Sequence, residues 1–175
     1  RAQRAQLVLV DQGEPLGQVP TLSDLVGLQY LCREPNGEIL AGNSDHHSPQ
    51  YVDPDSYSNR ADASTVEKVV ERLMHRLPGM PDPAITGSYV GAYDTTPDYN
   101  PIIGPSPLEG LFLAVGFSGH GFKMSPAVGR LAAELLLDGT TTMRGVDPAD
   151  CRFSRFSEGH LTTSLNPYVG AGEMR

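Results

Sequence analysis

The segment with the most chemical potential covers residues 111–126. An apolar run typical of a buried strand leads into a loop with three glycines (residues 116–121, the glycine loop below), and a helix start carrying Lys123 follows. Glycines let a backbone approach a ligand closely, and a helix start offers unpaired N–H groups and a partial positive charge. The pattern predicts a site for an anion or an electron-rich ring. It fits equally well a turn needed only for strand–helix packing.

A serine hydrolase is a second interpretation of the same loop. The order Gly116, Phe117, Ser118, Gly119 resembles a nucleophile elbow, but the final glycine stands one place late. His120 follows the serine by two residues, a spacing that does not by itself place imidazole on hydroxyl. Since no orienting carboxylate can be assigned either, serine catalysis is disfavoured.

A metal site is a third interpretation, based on Asp45, His46 and His47 with Asp53 and Asp55 nearby. Three adjacent residues cannot easily converge on one ion, and no His-x-x-x-His pair supports them. We therefore expect a solvated loop here and no metal.

A second unusual stretch, residues 93–105, is called the proline segment below. It contains Tyr93, the X-Pro steps at Pro97 and Pro101, and Gly104. Proline fixes its own φ and restricts the residue before it, so the pattern predicts a rigid turn ahead of the next strand. Taken alone, this turn could be only a structural corner.

The first half of the chain is typical of β structure followed by one helix. Strands are expected over residues 6–10, 28–33 and 38–41, the last two joined by a turn at Asn36-Gly37. A long polar loop comes next.

The clearest helix pattern covers residues 64–77. Ser64 and Glu67 have the spacing of a capping box, and apolar residues form one continuous stripe. Pro78 and Gly79 end the helix.

The second half predicts strands over residues 86–93 and 111–117, separated by a connection rich in proline and glycine. A helix follows, with Ser125 as its N-cap and Gly139 just past its end. The expected buried stripe of this helix is Val128, Leu131, Ala132, Leu135 and Leu136. The polar residues 147–175 predict a poorly structured C-terminal extension.

The elements together indicate a mixed fold, α+β or α/β, without deciding between the two. With 13 Lys and Arg against 21 Asp and Glu, the net charge is −8, which disfavours nucleic acid as a partner. No apolar run approaches the roughly 20 residues of a membrane span. Cys32 and Cys151 lack metal spacing. Two free thiols in a reduced cytosol are favoured over a disulfide between them, which predicts a cytoplasmic location.

Residues 91–104, residues 110–123 and the helix that follows them resemble a known family. Their sequences, GAYDTTPDYNPIIG and GLFLAVGFSGHGFK, are similar in order and separation to the C-terminal part of FAD-dependent oxidoreductases of the D-amino-acid oxidase and sarcosine oxidase superfamily. The likeness is strongest to the beta-subunit type of sarcosine oxidase and to dimethylglycine dehydrogenase-like members.

The resemblance implies a division of the chain. Residues 1–86 would be part of a β-rich substrate domain with one helix, residues 87–140 the last strand–loop–helix of a Rossmann-like FAD-binding domain, and residues 141–175 an extension. Such enzymes bind FAD chiefly through an N-terminal Gly-x-Gly-x-x-Gly unit, which this sequence lacks. We therefore expect a C-terminal portion of a two-domain flavoenzyme, inactive alone, whose partners include the missing N-terminal half. The opening at Arg1 without a Met agrees with that expectation.

The resemblance also implies site residues. The glycine loop and the helix start would lie against the pyrimidine edge of the flavin, where N–H groups and the helix dipole stabilise negative charge as the flavin is reduced. Lys123 would hold the substrate carboxylate or the flavin edge, and Tyr93 would border the substrate pocket. The implied cofactor-binding residues are Ser118, Gly119, His120, Gly121, Phe122 and Lys123. No catalytic residue is assigned, since hydride transfer from a neutral amine needs no strong base.

Two departures from the family pattern bear on the chemistry. Gly91 stands where monomeric sarcosine oxidases attach the flavin through cysteine, so noncovalent FAD is expected. Leu40 stands near the place of their oxygen-activating lysine, so a dehydrogenase with another electron acceptor or a partner subunit becomes plausible beside an oxidase. The expected reaction is oxidation of the C–N bond of a small amine or amino acid by hydride transfer to flavin. The alternative is a stand-alone β-rich module that binds an anionic metabolite at the glycine loop without catalysis.

Overall fold

The computed structural model describes residues 1–11, 13, 19–45, 48–80 and 82–162. Within that part, the chain divides into two compact units: residues 3–92 form one, and residues 1–2 with 93–162 form the other.

A five-stranded sheet forms the frame of the first unit. Its strands are β1 (Ala2–Asp11), β2 (Leu22–Asp24), β3 (Gln29–Arg33), β4 (Ile39–Asn43) and β5 (Ala84–Asp94). The strand order is β2-β3-β4-β1-β5, and β1–β4, β2–β3 and β3–β4 are antiparallel pairs. The predicted strands in β1, β3, β4 and β5 are confirmed, whereas the short β2 was missed.

The hairpin between β3 and β4 forms at the predicted turn. Gly37 has φ +96°, and the N–H of Glu34 donates to the backbone O of Glu38 at 2.8 Å. Glycine adopts this left-handed conformation without the steric cost that a Cβ would add. The turn sets the register in which Leu31 lies opposite Ala41, and both side chains are buried.

A single helix, α1 (Ala63–Arg76), packs its apolar stripe on the sheet. Burial of each large apolar side chain contributes roughly 1.5–3 kcal/mol. The buried core consists of Val8, Val10, Leu31, Ile39, Ala41, Val69, Leu73 and Met80.

The N-cap of α1 is Asp62, so the predicted capping box at Ser64 is wrong. The backbone O of Asp62 accepts from the N–H of Thr65 at 2.9 Å, but its side chain does not cap the helix. That carboxylate instead accepts from Arg4 Nη1 at 2.7 Å and from Gln6 Nε2 at 3.0 Å. A buried arginine on β1 has the stronger need for an anionic partner, and this tertiary demand overrides the local capping preference.

The second unit contains a two-stranded antiparallel sheet, β6 (Ile102–Pro105) and β7 (Phe112–Val115), and the helix α2 (Gly121–Asp138). The strand β6 lies where the sequence predicted only an irregular connection. This strand is only four residues long, follows Pro101 and ends at Pro105, so it is too short to show an alternating pattern in the sequence. Ile102 and Ile103 are both buried.

The helix α2 starts earlier than predicted, with His120 rather than Ser125 as its N-cap. Pro126 lies inside the helix and lacks the N–H that would bond to the backbone O of Phe122. The hydroxyl of Ser125 donates to that oxygen at 2.9 Å and replaces the missing bond. The C-terminal cap at Gly139 is confirmed, with φ +69°.

The predicted buried stripe of α2 is only partly correct. Leu131 is 5% exposed, but Leu136 is 61% exposed. The helix therefore packs on the second unit along a narrower face than its apolar pattern suggested.

The expectation of a poorly structured extension is wrong for residues 147–162. Two short 3₁₀ helices, Pro148–Cys151 and Phe153–Phe156, form there, and the side chain of Arg155 is fully buried. Polar composition misled the prediction, because the charge of Arg155 is neutralised by a buried carboxylate elsewhere in the unit. Residues 163–175 lie outside the described part of the chain.

Cys32 and Cys151 are both free thiols, as expected, and burial raises the pKa of each. Among the helices that the structure describes, none is both long and apolar enough to cross a membrane.

Candidate functional site

The proline segment and the glycine loop, distant in sequence, are held together in the second unit. The N–H of Gly116 donates to Oδ2 of Asp94 at 2.6 Å, and the N–H of Ser118 donates to the backbone O of Asp94 at 3.2 Å. The hydroxyl of Ser118 accepts from the N–H of Thr96 at 3.3 Å. Asp94, which belongs to the second unit, thus fixes the loop that leads into α2.

The backbone of the glycine loop is unusual at three positions. Gly116, Ser118 and Gly119 have φ values of +73°, +51° and +86°. Such a conformation costs a residue with a Cβ roughly 1–2 kcal/mol. Ser118 offsets this cost with its own hydroxyl, which donates to the backbone O of Gly116 at 3.2 Å while its N–H is held by Asp94.

Gly119 presents bare, exposed backbone beside the ring of Tyr93. A Cβ at this position would lie 3.2 Å from the ring, which is tighter than nine in ten real Cβ contacts. The glycine therefore allows the loop to pass close to Tyr93, which is half-buried, and leaves its backbone accessible.

The start of α2 carries the partial positive charge of a helix N-terminus. The first N–H groups of a helix have no intrahelical acceptor, and the side chain of the N-cap residue, His120, makes no capping hydrogen bond. Lys123 Nζ lies 2.8 Å from Nδ1 of His120, which acts as an acceptor for the ammonium group. The side chain of Phe122 is 97% exposed and adds an apolar surface. This combination suits a planar, electron-rich or anionic group.

The hydrolase interpretation finds no support in these contacts. The Ser118 hydroxyl is buried and pairs with backbone groups, whereas His120 pairs with Lys123. In the described part of the chain no group of three His, Cys, Asp or Glu residues could hold a metal. His46 and His47, from the candidate metal cluster, lie outside the described residues.

The structure adds residues that sequence reasoning did not assign to the site, namely Asp94, Thr96, Asp98 and Arg155. Burial raises the pKa of Asp98, but hydrogen bonds from Arg155 and the N–H of Asn100 outweigh it, so the carboxyl titrates below its ordinary value. The available signal was the two aspartates of the proline segment, Asp94 three residues before Pro97 and Asp98 directly after it, since aspartate accepts from backbone N–H groups in tight turns. Arg155 gave no sequence signal.

The second unit thus combines a glycine-rich turn with the positively polarised start of a helix. The family model DAO, described as FAD dependent oxidoreductase, matches residues 1–135. The chain belongs to this family of FAD-dependent oxidoreductases. The resemblance of the two motifs, the mixed fold and FAD as the cofactor are thereby confirmed.

Several known proteins are similar to the chain. FAD-dependent oxidoreductase domain-containing protein 1 of Xenopus laevis is 39% identical over 123 residues, which are 69% of this chain and 24% of that protein. Sarcosine oxidase subunit beta of Rhizobium meliloti is 31% identical over 125 residues, 71% of this chain and 28% of that protein. The crystal structure of L-proline dehydrogenase from P. horikoshii superposes with a TM-score of 0.76 and 28% identity, over 92% of this chain and 41% of that one. The chain thus spans less than half the length of each.

The residues present fit FAD. The uncapped helix start and Lys123 supply positive potential, and the backbone of Gly119 beside them is exposed. The contacts predicted for the glycine loop, Lys123 and Tyr93 stay predictions. The structure brings all of these residues into one unit, with Ser118 turned inward as a support of the loop.

Proposed function

We propose that the protein containing this chain oxidises the C–N bond of a small, sarcosine-like amine or amino acid. The observation that carries the proposal is the uncapped start of α2, with Lys123 beside it, held in place through Asp94 and Gly116. The names of two similar proteins, sarcosine oxidase subunit beta and L-proline dehydrogenase, support it, because sarcosine and proline are both secondary amino acids.

The chain's own residues would bind the cofactor and stabilise negative charge on it. When bound, FAD supplies the acceptor for the hydride that leaves the carbon next to the substrate nitrogen, giving an imine that water hydrolyses. The N–H groups at the start of α2 would donate to the electron-rich edge of the cofactor, where negative charge grows during the reaction. Gly119 would let that edge approach, and Ser118 would hold the loop from its buried side.

Lys123 has two candidate partners, the carboxylate of the substrate and the edge of the cofactor. Both are electron-rich, and an exposed ammonium at a helix start would attract either. Tyr93 would border the substrate pocket, since its ring lies directly beside Gly119.

The mode of FAD attachment and the electron acceptor are further parts of the proposal. Gly91 offers no nucleophile, in line with noncovalent FAD. Leu40 has no ammonium group that could activate oxygen, which favours a dehydrogenase. A partner subunit or protein electron acceptor is proposed from the similar subunit beta, and a cytoplasmic location remains a prediction.

The experiment that tests the function uses the full-length protein. Its visible spectrum is recorded without oxygen before and after addition of sarcosine, dimethylglycine, proline or D-amino acids. We expect a flavin band that bleaches with one of them. A bleached band that air does not restore would identify a dehydrogenase. A folded protein without a flavin band, or one that no amine bleaches, would contradict the proposal, and the former would favour the stand-alone binding module.

A Lys123→Met variant assigns the partner of the ammonium group, with Lys68→Met on the exposed side of α1 as a matched control. If Lys123 binds the substrate carboxylate, KM rises by about tenfold for a carboxylate-bearing amine and little for an amine without a carboxylate. If it binds the cofactor edge, the flavin potential becomes more negative and KM changes little. If Lys123→Met matches the control in both KM and flavin potential, Lys123 is not part of the site.

A further inference from the structure

A buried ion pair connects the second 3₁₀ helix, Phe153–Phe156, to the proline segment. Arg155 is fully buried and donates from Nε to Oδ2 of Asp98 at 2.8 Å and from Nη2 to Oδ1 at 3.0 Å. Its Nη2 also donates to the backbone O of Asn100 at 2.7 Å. Two parallel hydrogen bonds fix the planes of guanidinium and carboxylate, so the pair is a rigid element.

Asp98 extends this rigid element into the turn of the proline segment. Its Oδ1 accepts from the N–H of Asn100 at 3.1 Å and from the hydroxyl of Thr96 at 3.1 Å. Tyr99, between them, has φ +58°, a conformation that L-residues adopt at a cost and that needs support from its surroundings. The ion pair and these bonds together hold the turn in one shape.

Thr96 carries the contact onward to the glycine loop at two points. Its N–H donates to the hydroxyl of Ser118 at 3.3 Å. Its Cγ2 fills the space beside Gly116, where a Cβ would overlap it. A continuous path of buried contacts therefore runs from Arg155 through Asp98 and Thr96 to the loop that ends at the helix start.

We propose that Arg155 and Asp98 are positioning residues that set the place of the glycine loop and thereby the affinity and reduction potential of the bound FAD. A buried ion pair contributes little net stability compared with apolar residues of similar volume, so fold stability alone gives a weak reason for one beneath this loop. The inference rests on the proposed function only in placing FAD against the start of α2. It does not depend on which amine is oxidised.

The test compares Asp98→Asn and Arg155→Lys in the full-length protein. Glu158→Gln is the matched control, because it weakens a partly exposed ion pair with Arg152, and these two residues flank the 3₁₀ helix that carries Arg155. The dissociation constant for FAD is measured by flavin fluorescence, at a temperature where each protein is folded. The reduction potential is measured by anaerobic reduction with dithionite in the presence of a redox dye of known potential. Neither readout needs a substrate.

We expect Asp98→Asn to weaken FAD binding by about tenfold and to shift the potential to a more negative value, because the positive helix start moves away from the cofactor. Arg155→Lys keeps the charge but loses the two-point contact, so it should show a smaller change in the same direction. Glu158→Gln should match the unmodified protein.

The outcomes separate the two proposals. Variants that unfold more easily but bind FAD with unchanged affinity and potential would overturn the positioning role and leave the proposed function intact. A protein that binds FAD with the expected variant effects, yet is reduced by no amine, would overturn the proposed reaction alone. If Asp98→Asn does not fold, the milder Arg155→Lys decides by the same two readouts. An unmodified protein that binds no FAD would overturn both.

Discussion

Asp94 and Gly116 are joined by a hydrogen bond of 2.6 Å from the backbone N–H of the glycine to Oδ2 of the aspartate. The backbone O of the same aspartate accepts from Ser118, so one residue at the end of β5 holds the glycine loop twice. Because the loop leads directly into α2, this contact determines where the uncapped helix start is presented. The two stretches that stood out in the sequence are therefore held together in the second unit.

Replacement of Gly119 by alanine should damage both the loop and cofactor binding. The residue has φ +86°, and an added Cβ would lie 3.2 Å from the Tyr93 ring. We expect a loss of about 1–2 kcal/mol in the free energy of unfolding together with weaker FAD binding. Chemical denaturation and a fluorescence titration with FAD measure the two effects.

Gly139→Ala is the control for that experiment. Gly139 has φ +69°, and a Cβ there would meet no described atom within 4 Å. The Gly139→Ala variant should lose about as much free energy of unfolding as Gly119→Ala and should keep the FAD affinity of the unmodified protein. Equal losses of affinity in both variants would show that backbone strain alone explains the result.

Gly116→Ala should be more damaging, and part of the damage should be reversible. The new Cβ would overlap Cγ2 of Thr96, a buried atom with little room to move. Thr96→Ser removes that methyl group and keeps the hydroxyl, so the double variant should regain stability relative to Gly116→Ala alone. A double-mutant cycle on the free energies of unfolding gives the coupling, and strictly additive effects would contradict the packing described here.

The sequence predicted the elements whose cause is local. The hairpin at Gly37 and the cap at Gly139 follow from the conformations that glycine allows, and the core face of α1 follows from its apolar period. The glycine loop could also be recognised locally, because three glycines within six residues stand between a strand and a helix start.

The features that sequence reasoning missed depend on partners far away in the chain. The side chain of Asp62 accepts a hydrogen bond from Arg4, 58 residues away, instead of capping its own helix. Arg155 can be buried because it pairs with the carboxylate of Asp98, 57 residues earlier in the chain. The predicted start of α2 was wrong because Ser125 lies inside the helix, where its hydroxyl donates to the backbone O of Phe122 and replaces the hydrogen bond that Pro126 cannot make. Such pairings leave no period or spacing in the sequence.

The corrected N-cap of α1 gives a direct prediction. Ser64→Ala should change the free energy of unfolding by less than about 0.5 kcal/mol, because this side chain does not cap the helix. Asp62→Ala should cost roughly 1–2 kcal/mol, because the buried guanidinium of Arg4 loses an anionic acceptor. Chemical denaturation of both variants measures the difference, and a larger loss in Ser64→Ala would restore the capping box.

Glu134 should contribute stability that disappears in acid. Hydrogen bonds from the Thr141 hydroxyl, from Arg130 and from the N–H of Thr142 lower its pKa from 4.5 to about 2. A carboxyl whose pKa is lower in the folded state stabilises the fold fully above pH 4.5 and progressively less as the pH falls toward 2. A carboxyl NMR titration should show the low pKa directly.

Glu134→Gln should accordingly lower stability at neutral pH and flatten its decline between pH 4.5 and 2. The exposed Glu109→Gln in the same unit serves as the control. A pKa of Glu134 close to 4.5 in the folded protein would refute the hydrogen-bonding account of the turn after α2.

An experimental structure of the full-length protein with FAD bound would show directly whether the start of α2 meets the flavin. We expect the electron-rich pyrimidine edge of the flavin at hydrogen-bond distance, about 3 Å, from the backbone N–H groups at the start of α2. We also expect Gly119 to contact the ring system and Asp94 still to hold Gly116. A flavin ring bound away from the glycine loop and this helix start would show that these residues do not bind the cofactor.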